Sequence, residues 1–133
     1  MVSTHFLNCI MGNVFKTKTS PALPSKVFLG LSKTTPTVSG TGITEPSPAA
    51  GYTRIELTNL SIPNNGVITN NSEVSFPKSS AEWGTITHFV LFDAATGGNF
   101  LLSERLSKPR SVEEAVIVIL ERGKLKLTLK NVS

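Results

Sequence analysis

The reactive side chains available to this chain are few: the single aspartate Asp93, the two histidines His5 and His88, and the single cysteine Cys9. Acid and base catalysis needs carboxylates that converge on a substrate. Beyond Asp93 the chain has only glutamates, and the adjacent Glu113 and Glu114 would point to opposite faces of an extended segment. Asp93 opens the link DAATGG between two apolar runs, where an aspartate is favoured for accepting hydrogen bonds from turn amides, so it reads as a turn cap. His88 stands in TITHFVLF in period-two register with Ile86, Val90 and Phe92, which predicts a histidine hydrogen-bonded on an apolar face. A nucleophilic pair of Cys9 with His88 is the formal alternative. Against it, Cys9 falls on the apolar side of a short helix, where a thiol is buried and inert. His5, Cys9 and Asp93 show no metal-ligand spacing, so neither a metal site nor a cofactor is expected.

Phosphate and sugar chemistry have equally little support. Gly40 and Gly42 in GTG are not followed by the Lys and Ser or Thr that open a phosphate-binding helix, and Gly97 with Gly98 precede a strand-like run, where they supply positive φ in a turn. Tyr52, Trp83 and Phe89 could form a stacking platform for a carbohydrate or a base. The position of Trp83 immediately before Gly84, where a strand begins, reads instead as a core lid whose indole N–H meets a loop carbonyl.

The elements that would position these residues are short. Charged residues make up 17% of the chain, so Ser, Thr, Asn, Gly and Pro must supply much of the surface, a mix that suits strands joined by turns. The 133 residues are enough for one domain with one modest core. The net charge of +4 comes from scattered basic residues, which predicts no nucleic-acid surface. In KLKLTLK, Lys124, Lys126 and Lys130 alternate with Leu125, Leu127 and Leu129, the pattern of a strand with one solvated face. A lone cysteine excludes an intrachain disulfide, no apolar run approaches the length of a membrane span, and the chain is expected to be soluble, without membrane insertion. The sequons at Asn59, Asn70 and Asn131 read as chance tripeptides.

Near the N-terminus, Phe6, Leu7, Ile10 and Met11 recur at helical spacing, with Ser3 placed to cap and Gly12 with Asn13 placed to stop. A helix that short is not stable alone and must pack on the domain or on a neighbouring chain. The sequence thus divides into a helical docking arm, 1–20, and a β domain, 21–133. The strand KVFLGLS is followed by a long loop from Ser32 to Gly51 whose Pro36, Gly40, Gly42 and Pro46 mark it as an exposed contact surface. Then come YTRIELTNL, an Asn-rich hairpin, GTITHFVLF and NFLLSERL around the DAATGG link, a break at Pro109, and AVIVIL with LKLTL around ERGK. These predict a mostly β, single-domain sandwich of about seven or eight short antiparallel strands with a short N-terminal helix. Trp83, Ile86, Val90, Phe92, Leu102, Leu125 and Leu127 are its expected core.

The run AEWGTITHFVLFDAATGGNFLL, with Trp83, Gly84, His88, Phe92, Asp93, Gly97 and Gly98, resembles a segment typical of small phage virion proteins described as phage tail fibre proteins. The short helix, KVFLGLS with its Pro- and Gly-rich loop, GYTRIEL, the Asn-rich hairpin, the FP before the Trp segment and LERGKLKLTL follow in that family's order and cover most of the chain. The resemblance implies a non-enzymatic structural protein of the virion, assembled in the bacterial host cytoplasm, with itself and other virion proteins as partners. A tail fibre or tail-tip component is the leading expectation. A capsid decoration protein and a carbohydrate-binding module that recognises a host-surface sugar are the alternatives.

Overall fold

The computed structural model describes residues 1–16, 21–64 and 66–128. The chain begins with the helix α1, Thr4–Phe15, and continues as the strands β1 (Phe28–Ser32), β2 (Ile55–Glu56), β3 (Leu60–Asn64), β4 (Val67–Asn70), β5 (Val74–Ser75), β6 (Gly84–Phe92), β7 (Phe100–Val112), β8 (Ile119–Leu120) and β9 (Lys126–Thr128). A 3-10 turn, Pro48–Ala50, precedes β2. The fold is mostly β and sandwich-like, with every pairing antiparallel: β2-β1-β6-β7 form one sheet, β3-β4-β9 a second, and β5-β8 a two-stranded third. The count among the described residues exceeds the expected seven or eight because three of the strands are only two residues long.

The main core lies between the four-stranded sheet and the two smaller ones. Leu29, Leu31, Ile86, Leu91, Leu101, Leu102 and Val112 from the large sheet meet Leu125 and Leu127 from the segment around β9, with Ile68, Val74 and Leu120 packed against them; β8 and β9 pair in different sheets and not as the hairpin that LERGKLKLTL suggests. Val116, Val118 and Leu120 turn inward while Ile117 and Ile119 turn outward, the period of two that a half-buried extended segment requires. Leu125 and Leu127 are buried beside exposed Lys124 and Lys126, whereas Leu129 and Lys130 fall outside the described residues.

The face assignment along β6 needs correction. Ile86 packs in the main core, whereas Val90 and Phe92 join Phe100 in a separate cluster with Ile43 against its rim. The pairing with β7 shifts register between Ile86 and His88, and such a bulge breaks the simple alternation. His88 is buried, with Nδ1 2.8 Å from the Thr87 hydroxyl.

The helix also extends beyond its expected stop. Ser3 caps it by accepting from the Phe6 N–H at 3.0 Å, but α1 runs through Gly12 and Asn13 and ends at Lys16, which takes the left-handed conformation at φ 56°. Gly12 is buried, and the Asn13 amide donates back to the Cys9 carbonyl and outward to that of Pro21. Both residues that look like a stop signal therefore serve tertiary contacts.

Candidate functional site

The N-terminal segment is joined to the large sheet. Val2 bridges Leu102, the Ser3 amide donates to the Leu101 carbonyl at 2.8 Å, and the Ser3 hydroxyl donates to the Phe100 carbonyl at 2.6 Å. These bonds lay α1 along β7. Cys9 and Gly12 face inward and Phe6 packs against the main core, while Ile10 is half-buried. On the opposite side Leu7 is 49%, Met11 55%, Val14 63% and Phe15 68% exposed. Of the four residues expected to dock, Leu7 and Met11 are presented to solvent and Phe6 is committed to the domain's own core. Val14 and Phe15 complete the outward face. Their spacing from Leu7 and Met11 was the available signal, and Gly12 with Asn13 obscured it.

The long loop is held, not loose, which corrects the expectation of exposure at its prolines. Pro36 and Pro46 are buried, Gly40 is half-buried, and Gly42 is exposed. The loop folds back on itself through Lys33 N–H to Thr44 O at 2.9 Å and Thr37 N–H to Thr41 O at 2.9 Å, and the Thr34 hydroxyl donates to the Gly42 carbonyl. Its tip is exposed at Thr37, Val38, Ser39, Thr41 and Gly42, as are Thr34, Thr35, Thr44 and Ser47 to Ala49 along its flanks. The Val38 carbonyl there accepts from Thr4 N–H, at the start of α1.

A charged latch ties this loop to the β6–β7 turn. Glu45 accepts from Arg54 at both oxygens, Nη2 to Oε1 at 2.7 Å and Nε to Oε2 at 3.0 Å, and also from the Tyr52 hydroxyl. Arg54 Nη1 donates to the carbonyls of Ala94 and Gly97, each at 2.8 Å, and its guanidinium lies 3.6 Å over the Phe92 ring. This bidentate, stacked geometry suits arginine and no other side chain. The Tyr52 hydroxyl also accepts from the Leu31 amide at 3.0 Å, in space left open by Gly30, where a Cβ would stand 2.7 Å from that oxygen. Burial, then the bond to Glu45, raises the Tyr52 pKa far beyond its ordinary range, so the phenol is a fixed donor.

The turn is closed by Asp93, whose Oδ1 accepts from the Asn99 amide at 2.7 Å and whose Oδ2 accepts from the Asn99 side chain at 3.0 Å. Burial pushes the Asp93 pKa up, but these bonds and the nearby His5 outweigh it and hold the carboxyl below its ordinary value. Gly97 and Gly98 take φ of 60° and 74°. Ser3, Thr4 and His5, the loop tip from Val38 to Gly40, and Phe92 with Gly98, Asn99 and Phe100 line one open cleft of about 250 Å³. The helix start, the loop tip and the hairpin turn thus meet at one end of the molecule.

The reactive groups at this end are poorly placed for catalysis. Cys9 Sγ lies 3.4 Å from His5 Nε2, but burial and then Asp93 push the thiol pKa up, away from the thiolate that a nucleophile requires. Burial, then the Arg105 charge and the N-terminal ammonium, push the His88 pKa down. Cys9 pairs with His5 rather than His88. Among the described residues no group of three or more His, Cys, Asp or Glu could hold a metal ion. Of the proposed stacking platform, Tyr52 is 5% and Trp83 1% exposed. The Trp83 indole N–H donates to the Ala50 carbonyl at 2.9 Å, and its ring meets Tyr52 edge-on at 5.4 Å, so neither ring offers a free face to a sugar.

Arg54 and Glu45 carried no local signal of their role, since Arg54 reaches carbonyls 40 and 43 residues away. Asn70 is likewise structural: buried to 1%, its amide donates to the carbonyls of Ser72, Leu120 and Glu121 and its Oδ1 accepts from Leu125 N–H. Its sequon is therefore inaccessible in the folded chain. No helix among the described residues is long and apolar enough to cross a membrane.

No curated protein matches the chain. A family model does, over residues 1–128, and the elements it spans include α1, the latched loop and the β6–β7 hairpin. The chain belongs to the family described as podophage GP4 fiber I protein gp80.

Proposed function

We propose that this protein is a structural component of the phage fibre, at the tail or its tip, and that it works by self-assembly and by docking to other virion proteins. The family match over residues 1–128 carries the reading, since it spans the helix and the β domain together. The geometry fits a mechanical role. The β core and the Glu45–Arg54 latch make a rigid body, and α1 with the loop tip gives it surfaces to present. No bond is made or broken in this mechanism. Binding energy comes from apolar and polar contacts between preformed surfaces, whose rigidity limits the entropy lost on assembly.

Immunogold electron microscopy of intact particles, with antibody raised to the purified protein, tests the assignment. Gold at the tail end is the expected result. Gold over the head would replace it with capsid decoration. Particles without label, together with a monomer that binds glycans, would replace it with the carbohydrate-binding alternative, against which the buried Tyr52 and Trp83 already weigh.

A further inference from the structure

We infer that the free edge of the segment from Val116 to Leu120 pairs, antiparallel, with the same edge of a second copy of this chain, a step that rests on the self-assembly proposed above. One edge of the segment is taken: the Val118 carbonyl accepts from Phe76 N–H and the Val116 carbonyl from Ser79 N–H, each at 2.9 Å. Successive residues of a strand turn their backbone groups to opposite edges, so the amides and carbonyls of Ile117 and Ile119 face away from β5. β5 and β8 form a two-stranded sheet, so no strand among the described residues covers that side. The side chains of Ile117 and Ile119 are 49% and 48% exposed. Residues 115–120, AVIVIL, contain no charge, proline or glycine, the composition of a segment that recruits another strand. The edges of the two larger sheets are guarded by comparison: Val2 and Ser3 bond along β7, β2 holds Glu56, β3 holds Pro63 and β9 holds Lys126.

The occupant is a second copy because the charges flanking this edge complement themselves. Glu113 and Glu114 precede the apolar run, and Arg122 and Lys124 follow it; all four are exposed, and none of them is in an ion pair among the described residues. Parallel pairing of two such strands would set like charges side by side, whereas antiparallel pairing brings each acidic end to the partner's basic end. The register follows from the free backbone groups. Ala115 takes φ of 64°, outside strand geometry, and the Glu121 carbonyl already accepts from Lys124 N–H, which leaves Ile117 and Ile119 to exchange bonds. Pairing Ile117 with Ile119 of the partner subunit uses both residues of both copies and centres the contact on Val118. That register sets Glu114 opposite Arg122 of the partner subunit, twice by symmetry, and sets Glu121 opposite Ala115 of the partner subunit. Two marginal two-stranded ribbons become one four-stranded sheet, with the isoleucines of both copies gathered on its outer face.

Sedimentation equilibrium on the full chain tests the pairing. Wild type is expected to form a dimer as its concentration rises. Ile119→Pro removes an N–H on the free edge and none that bonds β5, and should leave a monomer. Glu114→Arg and Arg122→Glu should each weaken the dimer by about tenfold, and the double variant should restore it. An equimolar mixture of the two single variants should form the heterodimer, in which both contacts join opposite charges. These two positions are exposed, so the charge variants carry the test if Ile119→Pro fails to fold. A monomer at every concentration would overturn the pairing, as would a dimer that survives Ile119→Pro or one that the double reversal does not restore. If the chain were monomeric alone and Ile119→Pro still failed to enter particles, the edge would belong to a different virion protein and the self-pairing would fall. Any of these results with gold on the tail would leave the fibre assignment standing and remove the pairing alone; unlabelled particles would remove the underlying reading instead.

Discussion

Replacing Asn70 by Asp should cost the fold several kcal/mol at neutral pH and return part of that loss in acid. The substitution preserves shape and reverses hydrogen-bonding polarity. The Asn70 amide nitrogen lies 2.9, 3.2 and 3.0 Å from the carbonyls of Ser72, Leu120 and Glu121, and Oδ1 lies 3.0 Å from the Leu125 amide. Aspartate keeps the Leu125 bond but loses both hydrogens on the other side and points an oxygen at three carbonyl oxygens. At about 1–3 kcal/mol for each buried hydrogen bond left unmade, the two lost donors alone cost about 2–6 kcal/mol, a large part of the ~5–15 kcal/mol that holds a domain of this kind together. A carboxylate at a site 1% exposed to solvent is further penalised, so its folded-state pKa is raised above the unfolded value. The folded state then binds the extra proton as pH falls from that raised pKa toward the unfolded value near 4, and the protonated acid regains one donor. The variant's deficit relative to wild type therefore narrows over that window. Asn70→Ala should instead show a deficit of about 3 kcal/mol with no such narrowing. Urea titrations followed by fluorescence of the single buried Trp83, with wild type and variants compared at each pH, measure the difference. A loss below about 1 kcal/mol at pH 7, or an aspartate deficit that does not change between pH 7 and pH 4.5, would refute the assigned hydrogen-bond directions.

Further predictions rest on other parts of the structure. Arg54→Met should destabilise by about 2–4 kcal/mol, at the lower side of the range for a broken buried pair because the Glu45 side chain stays 21% exposed, and half-molar salt should change the loss little. Calorimetry at two salt concentrations reads both numbers. Gly98→Ala should cost about 2 kcal/mol or more beyond the roughly 1 kcal/mol of Gly97→Ala: both take positive φ, but only at Gly98 would the new Cβ meet Ala94 Cβ and Asp93 Oδ1 at 2.6 Å. Equal losses by thermal denaturation would contradict the turn geometry. For His88, whose pKa is lowered in the fold, the unfolded chain takes its proton first as pH falls through about 6.5, so stability declines from there down to the folded pKa and then levels. His88→Gln should flatten that stretch of the pH profile, and an unchanged profile would count against the shift.

What could be read from the sequence follows from how local the deciding interactions are. The β6–β7 hairpin was legible because a Trp-Gly start, an apolar run and an Asp with two glycines all act within a few residues. The bulge inside it was not: Phe89 and Leu91 are as apolar as Val90 and Phe92, so the pattern has no polar side to mark where the faces exchange. The loop from Ser32 to Gly51 was legible as irregular backbone. Its rigidity was not, because Glu45 and Arg54 act on partners distant in the chain, and because burial of Pro36 and Pro46 depends on what folds over them.

The helix shows the opposite case, a local signal that was present and stopped too soon. Gly12 and Asn13 have the residue types of a terminator, yet the glycine is buried within α1 and the asparagine reaches back to Cys9 and out to Pro21. The resulting error is specific: ending the helix at residue 11 hides Val14 and Phe15, and without them Leu7 and Met11 look like one edge of a single apolar face shared with Phe6 and Ile10. Extending the same spacing by one turn separates two faces, one spent on the domain and one left over. Fifteen residues without an Asp, Glu, Lys or Arg are already difficult to reconcile with a solvated surface helix.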